Sequence, residues 1–96
     1  MEFSWDEEKN RENRKKHGID FKEATEVFDD PLHISILDKR FDYFEERWIT
    51  IGAIKKGKVI VVGHLYSVTE DSEHMRIITA REATRKEREQ YETIGG

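Results

Sequence analysis

One stretch near the C-terminus changes its hydrophobic period from that of a strand to that of a helix. Residues 75–80 alternate between two sides, as residues in a β-strand do. Thr84 and Glu87 have the spacing of a capping box, which begins a helix. The sequence therefore predicts a strand that ends at Arg81 and leads almost directly into a helix.

Cationic side chains are concentrated on this predicted strand and helix. They are Arg76, Arg81, Arg85, Lys86 and Arg88. Arg85, Arg88 and Tyr91 recur at helical spacing and share one face. The strand and the helix would hold these five cations around one corner, as a functional site requires. The alternative is a solvated amphipathic helix whose cations pair with Glu82, Glu87 and Glu89. The stretch alone leaves both interpretations open.

The N-terminal helix predicted at residues 6–17 contains no aliphatic or aromatic side chain. Asp6 can cap its start and Gly18 can end it. We expect the face that carries Asp6, Asn10, Asn13 and His17 to turn inward. Trp5 and Ile19 at the helix ends, a partner or polar contacts could hold the helix. An exposed helix held by pairs such as Glu7–Arg11 is the alternative.

The remaining segments predict an α+β domain spanning residues 1–96. Phe3 and Trp5 form either a short first strand or a hydrophobic anchor. A second helix starts at Asp20, with Glu23 completing a capping box, and stops before Pro31. Its buried side chains are Phe21, Ala24, Val27 and Phe28. Strands are predicted near residues 33–38, 47–55, 58–66 and 75–81. Residues 42–46 and 69–74 are polar connections. Lys56-Gly57 forms a tight turn. Helices then pack on a small, largely antiparallel sheet.

Composition narrows the classes of function. With a net charge of −4, the overall electrostatic field of the protein does not attract nucleic acid, so any nucleic-acid binding would rest on local basic patches. The chain has no cysteine, which suits a reducing cytoplasm. No apolar run approaches the roughly 20 residues of a membrane span. We therefore expect a cytoplasmic protein without a membrane segment.

The residue pattern does not favour metal or nucleophile chemistry. The four histidines are scattered, without the spacing of a zinc site. The glycines form no phosphate loop, and no serine lies in a nucleophile elbow. We expect no metal and no cofactor. What remains is phosphate chemistry with cations, since arginine binds phosphate oxygens bidentately.

Two side chains are candidates for proton transfer. His17 follows Lys15 and Lys16 at a helix C-terminus, where it could equally bond nearby carbonyl groups. Tyr91 could stack on a base or act as an acid, but it could also pack the last helix onto the sheet.

The two ends of the chain resemble the signatures of the BrnT family (DUF497), the toxin half of a type II toxin–antitoxin pair. The C-terminal signature covers residues 76–88. The N-terminal one runs from Trp5-Asp6-Glu7 through Lys16-His17-Gly18-Ile19-Asp20-Phe21 to Asp30-Pro31. Residues 47–52 resemble the central strand of the family. The family often carries a threonine–arginine element after this strand, whereas residues 64–68 here contain no arginine.

The resemblance implies a RelE-like fold and a metal-independent endoribonuclease that cleaves RNA through attack by the 2′-hydroxyl. The candidate catalytic residues are Arg76, Arg81, Arg88, His17 and Tyr91, and Lys86, Arg85 and Lys16 would bind RNA. A BrnA-type antitoxin would neutralise the toxin in a heteromeric complex, for which a heterotetramer is one arrangement. DNA would be bound only through the antitoxin. The alternative is a non-catalytic module that binds the antitoxin and acts as co-repressor.

Overall fold

Helices and strands follow one another in the predicted order in the computed structural model, which describes residues 1–42 and 46–94 and leaves out the side chains of 40–42. The elements are β1 (Glu2–Ser4), α1 (Glu7–His17), α2 (Phe21–Ala24), a 3-10 helix (Thr25–Asp29), β2 (Ile34–Asp42), β3 (Glu46–Ala53), β4 (Val59–Val68), β5 (Glu73–Glu82) and α3 (Arg85–Ile94). The predicted connection at residues 42–46 lies largely outside the described residues.

The five described strands form one sheet in the order β1-β5-β4-β3-β2. Neighbouring strands are antiparallel except for β1, which runs parallel to β5 and places Phe3 beside Met75. The predicted α+β class is confirmed, and the sheet is mixed because of this short edge strand. Gly57 adopts a φ of 93° in the turn between β3 and β4, as the Lys56-Gly57 signal predicts.

Each face of the sheet carries a separate hydrophobic cluster. On the α1 face, strand residues that include Ile60, Val62 and Ile77 pack with Ile19 and Phe21. On the α3 face, the cluster consists of Ile51, Val61, Ala83 and Tyr91. The continuous apolar run in β4 is therefore buried on both sides, as predicted.

Side-chain amides attach α1, the helix without aliphatic or aromatic side chains, to the sheet. Asn13 Nδ2 donates to Ala80 O at 2.8 Å and to Ile19 O at 2.9 Å, while Asn13 Oδ1 accepts from Ala80 N at 3.2 Å. Asn10 Oδ1 accepts from Phe21 N at 2.8 Å. Both asparagines are buried. Two of the mechanisms left open by the sequence are observed. Polar contacts hold the middle of α1, because an amide can pair with a strand's N–H and C=O together. At the helix ends, Trp5 and Ile19 pack into the core.

The predicted inward face of α1 is correct at its centre and wrong at its ends. Asn10 and Asn13 are buried, whereas Asp6 and His17 are exposed. Asp6 caps the helix by accepting from Glu8 N and Lys9 N at 2.9 and 3.1 Å, which keeps its carboxylate at the surface. The sheet contacts therefore involve only the middle of α1.

The second predicted helix is shorter and tighter than expected. Asp20 caps it by accepting from Lys22 N at 2.8 Å. Glu23 Oε2 instead lies 3.1 Å from Lys56 Nζ, so the capping box predicted there is not formed. One α-helical turn then continues as the 3-10 helix. The predicted apolar stripe is confirmed, because Phe21, Ala24 and Val27 are fully buried and Phe28 is partly buried.

We expect Asn13→Ala to destabilise the protein by roughly 3 kcal/mol, because it leaves three buried backbone groups without their partner. Urea unfolding monitored by circular dichroism measures this change. Asn13→Asp should also destabilise, since its carboxylate cannot donate to Ala80 O and Ile19 O. Arg11→Ala, on the exposed side of α1, is the control. A loss below about 0.5 kcal/mol for Asn13→Ala, the size of a surface change, would contradict this attachment.

Candidate functional site

A groove between α1 and β5 brings basic side chains next to the last long strand. Its α1 side is lined by Lys9, Glu12, Asn13, Lys16 and His17, and its β5 side by Ile78 and Thr79. The groove has a volume of about 300 Å³ and opens to solvent. Lys16 and His17 lie in the last turn of α1, where the helix dipole favours positive charge. The two lysines therefore offer cations to an anionic ligand, and the carboxylate of Glu12 lines the groove between them.

Thr79 also borders the α3 face of the sheet, where it lies opposite Gly63 of β4. A Cβ atom on Gly63 would lie 2.6 Å from Thr79 Oγ1 and 3.7 Å from Arg47 Nη2. The hydroxyl and the guanidinium therefore approach each other above a residue that has no side chain. Thr79 is exposed and Arg47 is half-buried.

Arg47 supplies a cation beside the segment in which the resemblance implied an arginine. Arg47 pairs across the strands with Leu65, within residues 64–68. Sequence reasoning assigned no functional role to Arg47 or Thr79. A signal existed in the alternation of β3, since Arg47 shares the face of Ile49 and Ile51 and so interrupts an apolar row. Only the strand register, however, brings Arg47 near Thr79.

Arg81 is engaged by α3. Its Nη1 and Nη2 donate to the two carboxylate oxygens of Glu87 at 2.7 and 2.9 Å. Glu87 Oε1 also accepts from Thr84 N at 2.8 Å, and Thr84 Oγ1 accepts from Glu87 N at 3.2 Å, which confirms the predicted capping box. Hydrogen bonding from Arg81 is the main cause that lowers the pKa of Glu87 to about 2. Arg81 thus stabilises the junction of β5 and α3, so its replacement should also reduce stability.

The other predicted cations are spread along β5 and α3. Arg76 is exposed and lies five residues before Arg81, which at about 3.3 Å per residue separates them by roughly 16 Å. Arg85, Lys86 and Arg88 are exposed on α3. Arg85 Nε lies 3.3 Å from Glu89 Oε1, with the arginine side chain 88% exposed, so this pair adds little stability. The cations form an extended surface instead of one corner.

Tyr91 holds α3 against the end of the sheet. Its hydroxyl donates to Asp30 Oδ2 at 2.6 Å. Asp30 also accepts from Ala53 N at 2.8 Å and from Leu32 N at 2.9 Å. Burial, together with the Asp30 carboxylate, raises the pKa of Tyr91 to about 12. The contact matches the structural alternative that the sequence left open for this residue.

A buried histidine on the α1 face is neutral. His64 is 1% exposed, and its Nε2 lies 2.7 Å from Thr50 Oγ1. Burial lowers the pKa of His64 to about 4, although the Leu65 backbone acts in the opposite direction. No group of three or more histidine, cysteine, aspartate or glutamate side chains within residues 1–42 and 46–94 is arranged to hold a metal ion. No helix in the described part of the chain is long and apolar enough to cross a membrane.

Comparison with known proteins identifies the family. The family model for the ribonuclease toxin BrnT of type II toxin–antitoxin systems matches residues 5–87. The chain belongs to the BrnT family. The crystal structure of the Brucella abortus ribonuclease toxin BrnT is similar to this BrnT-family chain at 26% sequence identity and a TM-score of 0.66. The similarity covers 88% of this chain and 99% of that one. Comparison with curated protein sequences gave no match.

Family membership carries two general implications. A ribonuclease toxin acts on RNA, and a type II toxin has an antitoxin partner. The membership in the BrnT family that the sequence signatures indicated is therefore confirmed, and the α+β fold is similar to that of a BrnT crystal structure.

We expect Glu87→Gln to lower the melting temperature at neutral pH, because it removes the ion pair with Arg81. Glutamine can still form the capping box, so only the ion pair is lost. The pKa of Glu87 is about 2 in the folded protein, below its ordinary 4.5, so the ionised group stabilises the fold above about pH 4.5. This contribution is lost as the pH falls towards 2. The difference between wild type and variant in thermal melts should therefore shrink across that range. Glu89→Gln is the control, and a gap independent of pH would contradict the assignment.

Proposed function

We propose that this protein is a metal-independent endoribonuclease toxin. The observation that carries this proposal is the match of the ribonuclease-toxin family over residues 5–87. The basic groove along β5 adds support, since it offers cations to an RNA backbone despite the net charge of −4. RNA can be cut without a metal because its own 2′-hydroxyl attacks the adjacent phosphate. The enzyme then has to orient this attack, stabilise negative charge and transfer protons.

The cationic surface supplies the groups for these tasks. We assign phosphate binding and charge stabilisation to Arg76, Arg81 and Arg88, because one guanidinium group can donate two parallel hydrogen bonds to the oxygens of a phosphate. Lys16, Arg85 and Lys86 contact flanking RNA. His17 is the candidate for proton transfer, since it is exposed and lines the groove beside Thr79. Arg81 would act while paired with Glu87, which holds its guanidinium in one orientation.

Tyr91 is the weakest of the proposed catalytic groups. Its hydroxyl already donates to Asp30, and a pKa of about 12 makes it a poor proton donor near neutral pH. We therefore propose that it supports catalysis by fixing the position of α3, which carries Arg88.

The proposed partner is a BrnA-type antitoxin that covers the basic groove and α3. An acidic segment of such a partner would pair with Lys9, Lys16 and the exposed arginines, which speeds association at low salt. The toxin would then reach DNA only through the antitoxin, in a heteromeric complex in the cytoplasm.

A non-catalytic module that binds the antitoxin and acts as co-repressor is the second candidate. The net charge of −4 and the absence of arginine in residues 64–68 favour it. Arg47 weakens the second argument, because its side chain stands beside that segment as the cross-strand partner of Leu65.

We expect the purified protein to cut RNA in excess EDTA and to leave 2′,3′-cyclic phosphate ends. A single 2′-deoxy substitution at the cleavage position should block the cut, because it removes the attacking group. Denaturing gels and mass spectrometry of the fragments measure both outcomes. Cleavage abolished by EDTA would contradict the metal-free reaction. No cleavage by folded, antitoxin-free protein would favour the co-repressor.

We expect Arg76→Ala and Arg88→Ala each to slow cleavage by roughly 100- to 1000-fold with little change in melting temperature. Arg81→Ala should lose both activity and stability, since it breaks the pair with Glu87. Arg11→Ala serves as the control for lost surface charge, because Arg11 is an exposed arginine on α1 and not on β5 or α3. Wild-type rates in both the Arg76 and the Arg88 variants would remove these residues from the mechanism.

We expect Tyr91→Phe to destabilise the protein by roughly 1.5 kcal/mol, because a hydrogen bond to a carboxylate is lost. It should still cut RNA near the wild-type rate at a temperature where it is folded. Tyr66→Phe is the matched control, since the Tyr66 hydroxyl donates to Glu73 at the exposed surface at 2.9 Å. Unchanged stability together with a lost rate would make Tyr91 a proton donor after all.

A further inference from the structure

We propose that Arg47 and Thr79 form a binding site for one phosphate of an RNA strand, built across Gly63. This inference rests on the proposed cleavage of RNA. It adds two RNA-binding residues to the cations of β5 and α3 named above. Its basis is the approach of Thr79 Oγ1 and Arg47 Nη2 to the same point above Gly63.

The side chains of Arg47 and Thr79 can approach each other only because the residue between them, Gly63, has no side chain. β3 and β5 are not neighbours in the sheet, since β4 lies between them. At about 4.8 Å between adjacent strands, their backbones are roughly 9.6 Å apart. Any side chain on Gly63 would fill the gap, as a Cβ there would come within 2.6 Å of Thr79 Oγ1. Glycine at this position therefore lets a hydroxyl and a guanidinium converge across three strands.

The pair has the chemistry of a phosphate site. The guanidinium of Arg47 offers several donors in a planar fork, and the hydroxyl of Thr79 adds one rotatable donor. Thr79 is exposed and Arg47 is half-buried, so a ligand can reach the hydroxyl while the arginine stem is held by the sheet.

The position of Thr79 indicates how the RNA strand would continue. Thr79 borders both the Gly63 position on the α3 face and the groove lined by Lys9, Lys16 and His17. An RNA strand that crosses the outer edge of β5 at Thr79 would pass from the phosphate above Gly63 to that groove. His17 then lies on the path of the strand and not at a separate patch. Thr79 is the residue at which the two parts of the surface meet.

The test measures binding of a 2′-O-methyl oligoribonucleotide, which cannot be cut by its own 2′-hydroxyl. We expect Thr79→Val to weaken binding by about tenfold, because one hydrogen bond to a charged group is lost. Thr79→Ser, which keeps the hydroxyl, should bind like the wild type. Thr93→Val, at an exposed position on α3, is the matched control.

Salt dependence separates a phosphate contact from a packing role. Removing one phosphate contact to a single strand should reduce the slope of log K against log salt by about 0.7 in Arg47→Ala. Thr79→Val should leave the slope unchanged, because threonine carries no charge. An unchanged slope in folded Arg47→Ala overturns the proposal. If Arg47→Ala does not fold, Arg47→Lys replaces it, and wild-type affinity in both Arg47→Lys and Thr79→Val overturns the proposal.

The same experiment distinguishes this inference from the proposed function. Wild-type protein that cuts native RNA while the Thr79 and Arg47 variants bind and cut as well overturns only the phosphate site. Protein that binds the 2′-O-methyl strand through Thr79 but cuts no RNA overturns only the nuclease proposal. Wild-type protein that does not bind the 2′-O-methyl strand overturns the phosphate site.

Discussion

The pairing of the Asn13 amide with the backbone of Ala80 is the contact on which the rest of the structure depends. β1 pairs only with His74–Arg76 of β5, so none of the described strands pairs with the outer edge of β5 at Ala80. The Asn13 side chain takes the place of a strand there, accepting from the N–H and donating to the C=O. A helix that cannot dock through apolar side chains is thereby attached by groups that are costly to leave unpaired in a buried position.

The groove beside β5 follows from this attachment. Because polar contacts at the middle of α1 hold it, Lys9, Lys16 and His17 stay at the surface and line the groove together with Thr79. The exposed Thr79 then connects the groove to Gly63 and Arg47 on the other face of the sheet.

Local arrangement of charge, and not net charge, decides what this surface can bind. The chain carries a net charge of −4, yet acidic and basic side chains are distributed unevenly. Glu87 holds Arg81 at the junction of β5 and α3, and Asp30 is surrounded by hydrogen-bond donors from Tyr91, Leu32 and Ala53. These two carboxylates serve the fold, while cations such as Lys16, Arg76 and Arg88 stay exposed on α1, β5 and α3.

The sequence by itself determined the features that depend on neighbouring residues: the caps at Asp6 and Thr84, the turn at Gly57, the order of the elements and the family signatures. These follow from backbone preferences and hydrophobic period, which act over a few residues. Only the tertiary structure decided which polar groups meet. Asn13 and Ala80 are 67 residues apart, and Tyr91 and Asp30 are 61 apart. The approach of Arg47 to Thr79 likewise depends on strand register and on the bulge in β5 beside Gly63, which no local pattern encodes.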